Sequence, residues 1–420
     1  MKGYEYLFFS DSLPSPDVTF QFITIRNTHR LAKRGALFAK SKSTMAASAL
    51  SLDEHFEISQ MGGVTIYEAP IRQEGVKLFI ANDGPLQLDR PGNGGMRMLK
   101  YEDEDSAVAD AVRLAEGMTR KHDCYNTGFS GAKLVVHCAD AVTPATVDRP
   151  ALMEDCADAL AALGGSVWTG CDLNTTGADM DILVSKTPYV LAGIGSSVDT
   201  NIATATTTIG SILGIVEANS LDISAQTFMV QGCGKVGENV AKSLVALGAK
   251  DVFTCDIRKE LANIEGCLPL SEGENWFEKD VDFLVPCANS LAINEDVFNV
   301  MPTPKFIVGA TNQPYSSPEV RKALDEKGAL HIPESISSGG AIMADSVEWC
   351  HPKLFKSVRP QLVYDWILDL SRIKSRELCT RAENKASNIA ICIDDVYEGA
   401  ESEPVGLRFP EWIEENGNEE

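Results

Sequence analysis

The chain lacks several things that would direct it elsewhere. No apolar run in its 420 residues approaches the length needed to span a bilayer, so no membrane partner is expected. Basic charge is scarce. Lys and Arg total 37 against 60 Asp and Glu, a formal net charge of −23, which leaves no basic face for nucleic acid or an anionic surface. The six histidines show no ligand-like spacing, and the eleven cysteines contain no CxxC pair. His137-Cys138 and Cys350-His351 read as chance neighbours, so no metal site and no disulfide framework is expected. An odd, dispersed cysteine set suits a reducing compartment. Residues 18–52 contain no acid at all but carry Arg26, Arg30, Lys33, Arg34, Lys40 and Lys42. That basic extension (1–52) has the composition of an organelle transit peptide, or Met45 is the true start. The expected location is cytoplasmic, or an organelle matrix or stroma if the segment is a transit peptide. At the other end, residues 394–420 hold ten acids against the single base Arg408 and read as an acidic, solvated, largely disordered tail.

What is present is an ordinary globular composition, 44% apolar and 23% charged, long enough for two cores. Gly63–Ala69, Val76–Ala81, Leu134–Cys138 and Ser166–Thr169 read as strands. Ser106–Met118, Leu152–Leu163 and Ile209–Ala218 read as helices, the last preceded by the Thr-rich stretch Asn201–Thr208. From Thr227 the pattern becomes strand–helix alternation, with strands at 227–231, 252–255, 281–285, 305–308 and 329–332. The most specific stretch is Thr227–Asp256. An apolar run leads into Gly232, Gly234 and Gly237. Lys235 and Val236 then open a helix, and a second apolar run ends at Asp256, nineteen residues past the last glycine. That is the dinucleotide-binding fingerprint in its strand–turn–helix–strand context. Asp256 would accept from a ribose 2′-OH and repel a 2′-phosphate, which favours NAD; Arg258 could partly accommodate the phosphate. A glycine turn in some other α/β domain is the bland alternative.

A second constellation precedes it. The segment Asn93–Met98 (NGGMRM) leads into a helix ending at Lys121, Lys133 follows twelve residues later, and Asp172 stands at a strand end. Two lysines and a carboxylate beside a nucleotide fold suit a reaction in which one ammonium pairs with a substrate carboxylate. The other, its pKa lowered by burial, activates water or polarises a carbonyl, and the acid moves a proton at an amine. Asp172 could instead be a helix N-cap.

These motifs, in order, resemble the glutamate/leucine/phenylalanine/valine dehydrogenase superfamily on its branched-chain and aromatic side, over roughly residues 75–390. The pieces are Gly94–Met98, Gly117–Lys121, Gly131–Lys133, Cys171–Asp181, Thr187–Gly193, Val230–Gly237, Val285–Ala288 and Ser337–Gly340. The resemblance implies an α/β fold of two domains. A substrate-binding and oligomerisation domain would comprise residues 53–200 plus 350–393, and a doubly wound Rossmann domain residues 201–349. The C-terminal helices would return to the first domain. It implies that Lys121 binds the substrate α-carboxylate, that Lys133 activates water, and that Asp172 is the acid/base on nitrogen. Gly95 would line the substrate pocket, while Thr207, Ala288, Asn312 and Ser337 would meet the cofactor. The implied reaction is reversible, NAD-dependent oxidative deamination of an L-amino acid to a 2-oxo acid and ammonia, in a homo-oligomer.

Departures from the family pattern bear on specificity and activity. The stretch before the double glycine, PLQLDRPGN, lacks the histidine of the family's pattern, Cys171 replaces an acid, and Ser337 replaces an asparagine. At pocket positions stand Asn93, Gly170, Ala341 and Ala344. Read as truncations with one polar wall, they favour a bulky or polar-aromatic side chain. A glutamate-type enzyme, a specialised biosynthetic amino- or imino-acid dehydrogenase, and a non-catalytic NAD-binding homologue remain alternatives.

Overall fold

Six strands form the first sheet: β1 (Glu57–Met61), β2 (Val64–Ala69), β3 (Val76–Asp83), β4 (Gly92–Leu99), β5 (Ser130–Cys138) and β6 (Val167–Cys171), in the order β1-β2-β3-β5-β4-β6. The chain is described from a computed structural model covering residues 52–139, 141–191, 193–288, 290–385 and 403–417. Almost all of the basic extension and part of the acidic tail therefore lie outside the described residues. The β1–β2, β2–β3 and β3–β5 pairings are antiparallel, whereas β4 runs parallel to both β5 and β6. The crossover between β4 and β5 is α1 (Glu104–Tyr125), the kind of connection parallel neighbours need. Asp103 starts that helix by accepting from Ser106 N at 2.8 Å, and Asn126 stops it at φ 47°. One face of the sheet packs on α1 through Ala107, Ala111 and Ala115. The other packs on α2 (Arg149–Ala162) and α3 (Gly177–Lys186) through Leu152, Leu160 and Leu183. Covered on both faces, β5 is buried at every position.

Two local readings are corrected here. The NGGMRM segment that precedes α1 is the body of β4, its glycines lowering strand propensity but pairing with β5 and β6 overriding that, and the helix runs on to Tyr125 rather than ending at Lys121. The Thr-rich stretch is itself helical. α4 runs Thr200–Ala218, capped by Asp199, with Thr204 and Thr206 hydroxyls each donating to the carbonyl four residues earlier at 2.8 Å.

The second sheet is wholly parallel. Its strands β7 (Thr227–Gln231), β8 (Asp251–Cys255), β9 (Leu268–Pro269), β10 (Phe283–Pro286), β11 (Phe306–Ile307) and β12 (Leu330–His331) lie in the order β12-β11-β10-β7-β8-β9. The order reverses direction beside β7, the switch point at which such sheets take ligands. Its helices are α5 (Lys235–Ala246), α6 (Glu295–Val300) and α7 (Pro318–Glu326). Beyond β12 come α8 (Glu334–Ser337), α9 (Gly340–Cys350), α10 (Pro352–Ser357), α11 (Pro360–Lys385) and α12 (Phe409–Asn416). α11 lies along α4. It reaches the first domain where Lys374 Nζ donates to Cys124 O and lies 5.4 Å from the Tyr125 ring centroid.

The acidic tail is folded where it is described. Val405 and Phe409 are buried, and Phe409 packs edge-on to Trp366 of α11 at 5.2 Å. Spaced three to four residues apart, Val405, Phe409 and Trp412 give the segment an apolar face despite its acids. Burying one such ring is worth about 2–3 kcal/mol, enough to hold a short segment. The same segment is tied to the end of α1, where Val405 N donates to Asn126 O at 2.7 Å, and to α9, where Gly406 N donates to Ser346 Oγ at 3.1 Å.

Candidate active site

Alternation along β4 sets the first half of the site. Asn93, Gly95 and Arg97 share one face, since side chains two apart on a strand point the same way. At Gly95 an added Cβ would sit 2.8 Å from Asp172 Cβ, so only hydrogen leaves room. Arg97 Nε donates to Asp172 Oδ2 at 2.9 Å, and Lys133 Nζ, from the adjacent β5, donates to the same oxygen at 2.5 Å. Asp172 directly follows β6 and is not a helix cap. Thr176 caps α3 instead, in a reciprocal capping box with Asp179.

The charges extend beyond this pair. Arg97 Nη1 donates to Asp110 Oδ2 at 3.2 Å, which also accepts from Tyr101 OH at 2.8 Å, and Arg113 pairs with Asp110 Oδ1. Burial by itself would raise the Asp172 pKa, yet the Lys133 and Arg97 cations hold it at about 2. Lys133, only 5% exposed, is pushed below the ordinary lysine range by burial; Asp172 pulls it back and Arg97 adds to the depression. Lys121, on the last turns of α1, faces the other domain and donates to Asn312 Oδ1 at 2.7 Å. Burial, with Lys133 nearby, brings it down to about 8 despite the attraction of Glu334 and Asp172. Arg113 Nη1 makes a second bridge across the cleft to Gln313 Oε1 at 2.7 Å. Lys121, Lys133 and Asp172 thus come together with Asn312 between the two sheets.

The nucleotide half is built from backbone. Gly232 adopts φ +93° at the end of β7, in the left-handed region that favours glycine. At Gly237 a Cβ would lie 1.9 Å from Gly232 O, so helix and strand meet at the distance only glycine allows, whereas Gly234 faces open space. Lys235 and Val236 begin α5 behind it. Asp256 Oδ2 accepts from Cys233 N at 2.8 Å and Oδ1 from Arg258 N at 2.9 Å, each oxygen keeping a lone pair beside the turn. Ala288 packs against Gly232, and Arg258 is exposed. The turn, the open N-terminus of α5 and the acid at the end of β8 fit a dinucleotide.

Four expected contacts are placed differently. Thr207 is fully buried; its hydroxyl donates to Thr204 O at 2.7 Å and accepts from Gly340 N at 3.1 Å, so it ties α4 to α9. Ser337, at the end of α8, is fully buried and its hydroxyl donates to Gly309 O at 2.6 Å, which ties α8 to the loop after β11. Gly170 is not a pocket truncation. A Cβ there would meet Leu191 O at 2.3 Å, because the backbone of residues 189–191 bonds directly to Thr169. Ala344 is fully buried in the main core, leaving Ala341 as the partly accessible member of that pair.

Sequence reasoning missed Arg97, Asp110, Arg113, Tyr101 and Gln313. Arg97 was within reach: had the double glycine been read as strand, alternation would have put Arg97 on the Gly95 face. The others sit on a helix or loop with no motif of their own.

A family model for glutamate/leucine/phenylalanine/valine dehydrogenase matches residues 255–390. The phenylalanine dehydrogenase of Lysinibacillus sphaericus is 31% identical over 270 residues, covering 60% of this chain and 68% of that one. The leucine dehydrogenase of Bacillus subtilis (strain 168) is 29% identical over 281 residues, 64% of this chain and 74% of that one. Among solved structures, L-tryptophan dehydrogenase from Nostoc punctiforme superposes with a TM-score of 0.60 at 22% identity, covering 81% of this chain and 94% of that one. A hetero-hexameric glutamate dehydrogenase from Thermus thermophilus does so with 0.63 at 19% identity, covering 83% and 93%. The last two establish the fold.

Proposed function

Because the chain belongs to the glutamate/leucine/phenylalanine/valine dehydrogenase family and is an oxidoreductase acting on CH–NH2 donors, we propose that it oxidatively deaminates a hydrophobic or aromatic L-amino acid with NAD⁺. The observation that carries this reading is the Lys133–Asp172 contact of 2.5 Å, facing Lys121 across the cleft from Asn312. Bound NAD⁺ supplies the hydride acceptor. The turn at Gly232 and Gly234 would hold its pyrophosphate at the start of α5, with Gly237 letting that helix pack close to β7, and Asp256 would hold its ribose.

Lys121, charged below pH about 8, anchors the substrate α-carboxylate. Asp172 meets the substrate nitrogen and moves protons at it. Lys133 in its neutral form, which burial favours, takes a proton from water as that water adds to the substrate imine carbon. The resulting ammonium steadies the oxyanion as the carbon–nitrogen bond breaks. Arg97 holds Asp172 in place without reaching the substrate.

The outward-facing edge strand β1, exposed at all five residues, supports a homo-oligomer built through this sheet. The direct test is NADH formation by the purified protein at alkaline pH with each of the twenty L-amino acids. Turnover on phenylalanine, tryptophan or leucine is expected. Cofactor binding without turnover on any of the twenty overturns the reading.

A further inference from the structure

The Arg97 guanidinium is a planar fork with donors on two sides, so it moves as one rigid unit. Its Nε donates to Asp172 Oδ2 at 2.9 Å while its Nη1 donates to Asp110 Oδ2 at 3.2 Å. Whatever orients the Asp110 carboxylate therefore also aims Arg97 at Asp172. Asp110 Oδ2 accepts from Tyr101 OH as well, at 2.8 Å, and Oδ1 pairs with Arg113, one turn on along α1. The Arg97 and Asp110 side chains are only 16% and 15% exposed, so these charge-assisted bonds act in a poorly solvated place.

Arg113 carries the line of contacts out of the first sheet. Its Nη1 donates across the cleft to Gln313 Oε1 at 2.7 Å. Gln313 stands in the left-handed region at φ 51°, uncommon for a residue other than glycine or asparagine, and its carbonyl accepts from Leu291 N at 2.8 Å. Its amide is thus presented by a pinned loop, next to Asn312, which accepts from Lys121 Nζ. Asp172, Arg97, Asp110, Arg113 and Gln313 form one unbroken series from the Lys133–Asp172 pair to the second domain.

We propose that Asp110 and Arg113 are positioning residues that couple the meeting of the two domains at Gln313 to the aim of Asp172, so that the acid is set for proton transfer when the cleft is shut. The coupling rests on the dehydrogenase reading and adds two residues that stand one and two contacts behind Arg97. When the cleft opens, Arg113 loses Gln313, Asp110 turns with Arg113, and the Arg97 fork swings its Nε–H away from Asp172 Oδ2. Lys133 then holds that oxygen without Arg97.

Arg113→Gln, Gln313→Ala and the double variant are compared by kcat and KM with NAD⁺ and the amino acid that turns over fastest among the twenty. Each single change should lower kcat about five- to tenfold and leave KM for the amino acid within about twofold, since Lys121 and Lys133 stay in place. The double variant should fall no further than the lower single. Arg113→Lys keeps the charge beside Asp110, but one ammonium cannot span both partners, so it should match Gln313→Ala. Effects that multiply in the double variant, wild-type kcat in Gln313→Ala, or full rescue by Arg113→Lys overturn the proposal. Gln313→Asn suits the left-handed backbone and is too short to reach Arg113, so it serves if the alanine variant fails to fold. If no amino acid turns over, the dehydrogenase reading fails separately. NADH release, followed by fluorescence during a chase with excess NAD⁺, then decides the coupling. Release about fivefold faster in Gln313→Ala, and also in Asp110→Asn, which touches neither Gln313 nor the glycine turn, supports it. Release unchanged in either variant overturns it.

Discussion

The first sheet concentrates its function in charged side chains, Lys133, Asp172, Arg97, Asp110 and Arg113, each held by at least one ion pair. In the second sheet the candidate nucleotide site is the shape of the backbone at Gly232, Gly234 and Gly237, with the Asp256 carboxylate beside the turn. One half therefore depends on electrostatics in a desolvated place, where a lost partner leaves a buried charge unmet. The other depends on empty space, where one added methyl group is the damage. Substitutions in the two halves should fail in different ways, and that separates the readings.

The largest effect is expected at Lys133. Lys133→Gln should lower kcat by about 10³-fold or more while NADH affinity stays within about twofold. A fall in NADH affinity that matches the fall in kcat would remove the distinction between the halves. At Gly237, alanine has to displace the Gly232 carbonyl 1.9 Å away, so Gly237→Ala should cost about 2–3 kcal/mol in denaturant unfolding. By contrast Gly234→Ala meets nothing within 4 Å; it should leave unfolding unchanged and weaken NADH binding.

Arg97 tests positioning. Arg97→Gln frees Asp172 from one of its two cations, so the Asp172 pKa should rise from about 2, and kcat should fall about 10- to 100-fold with little change in KM. An unchanged pH profile would show that Lys133 alone sets Asp172. Exchanging Asp256 for Ser should cut the NAD over NADP preference about tenfold, read as the ratio of kcat/KM values.

The smallest and most diagnostic effect is on pH. Lys121 is charged below about 8 and loses its proton above it, so kcat/KM for the amino acid should fall on the alkaline side of that value. Lys121→Arg keeps its charge and should move the fall to higher pH, at some cost in activity because the fork does not match a point charge.

The sequence by itself determined the parallel nucleotide sheet, because a glycine turn between strand and helix is a local pattern: the φ at Gly232 and the contact at Gly237 involve residues a few positions apart. It also supplied Lys121, Lys133 and Asp172 as an ordered set. Tertiary structure alone decided what those charges touch. Lys121 finds Asn312 and Arg113 finds Gln313 across some two hundred residues of chain, and no local period encodes such a meeting. The same holds for the corrections at Gly170, Ala344, Thr207 and Ser337. A small residue in a sequence marks close approach, but only the fold says whether the neighbour is a ligand or, as at Leu191 and Gly309, the chain's own backbone.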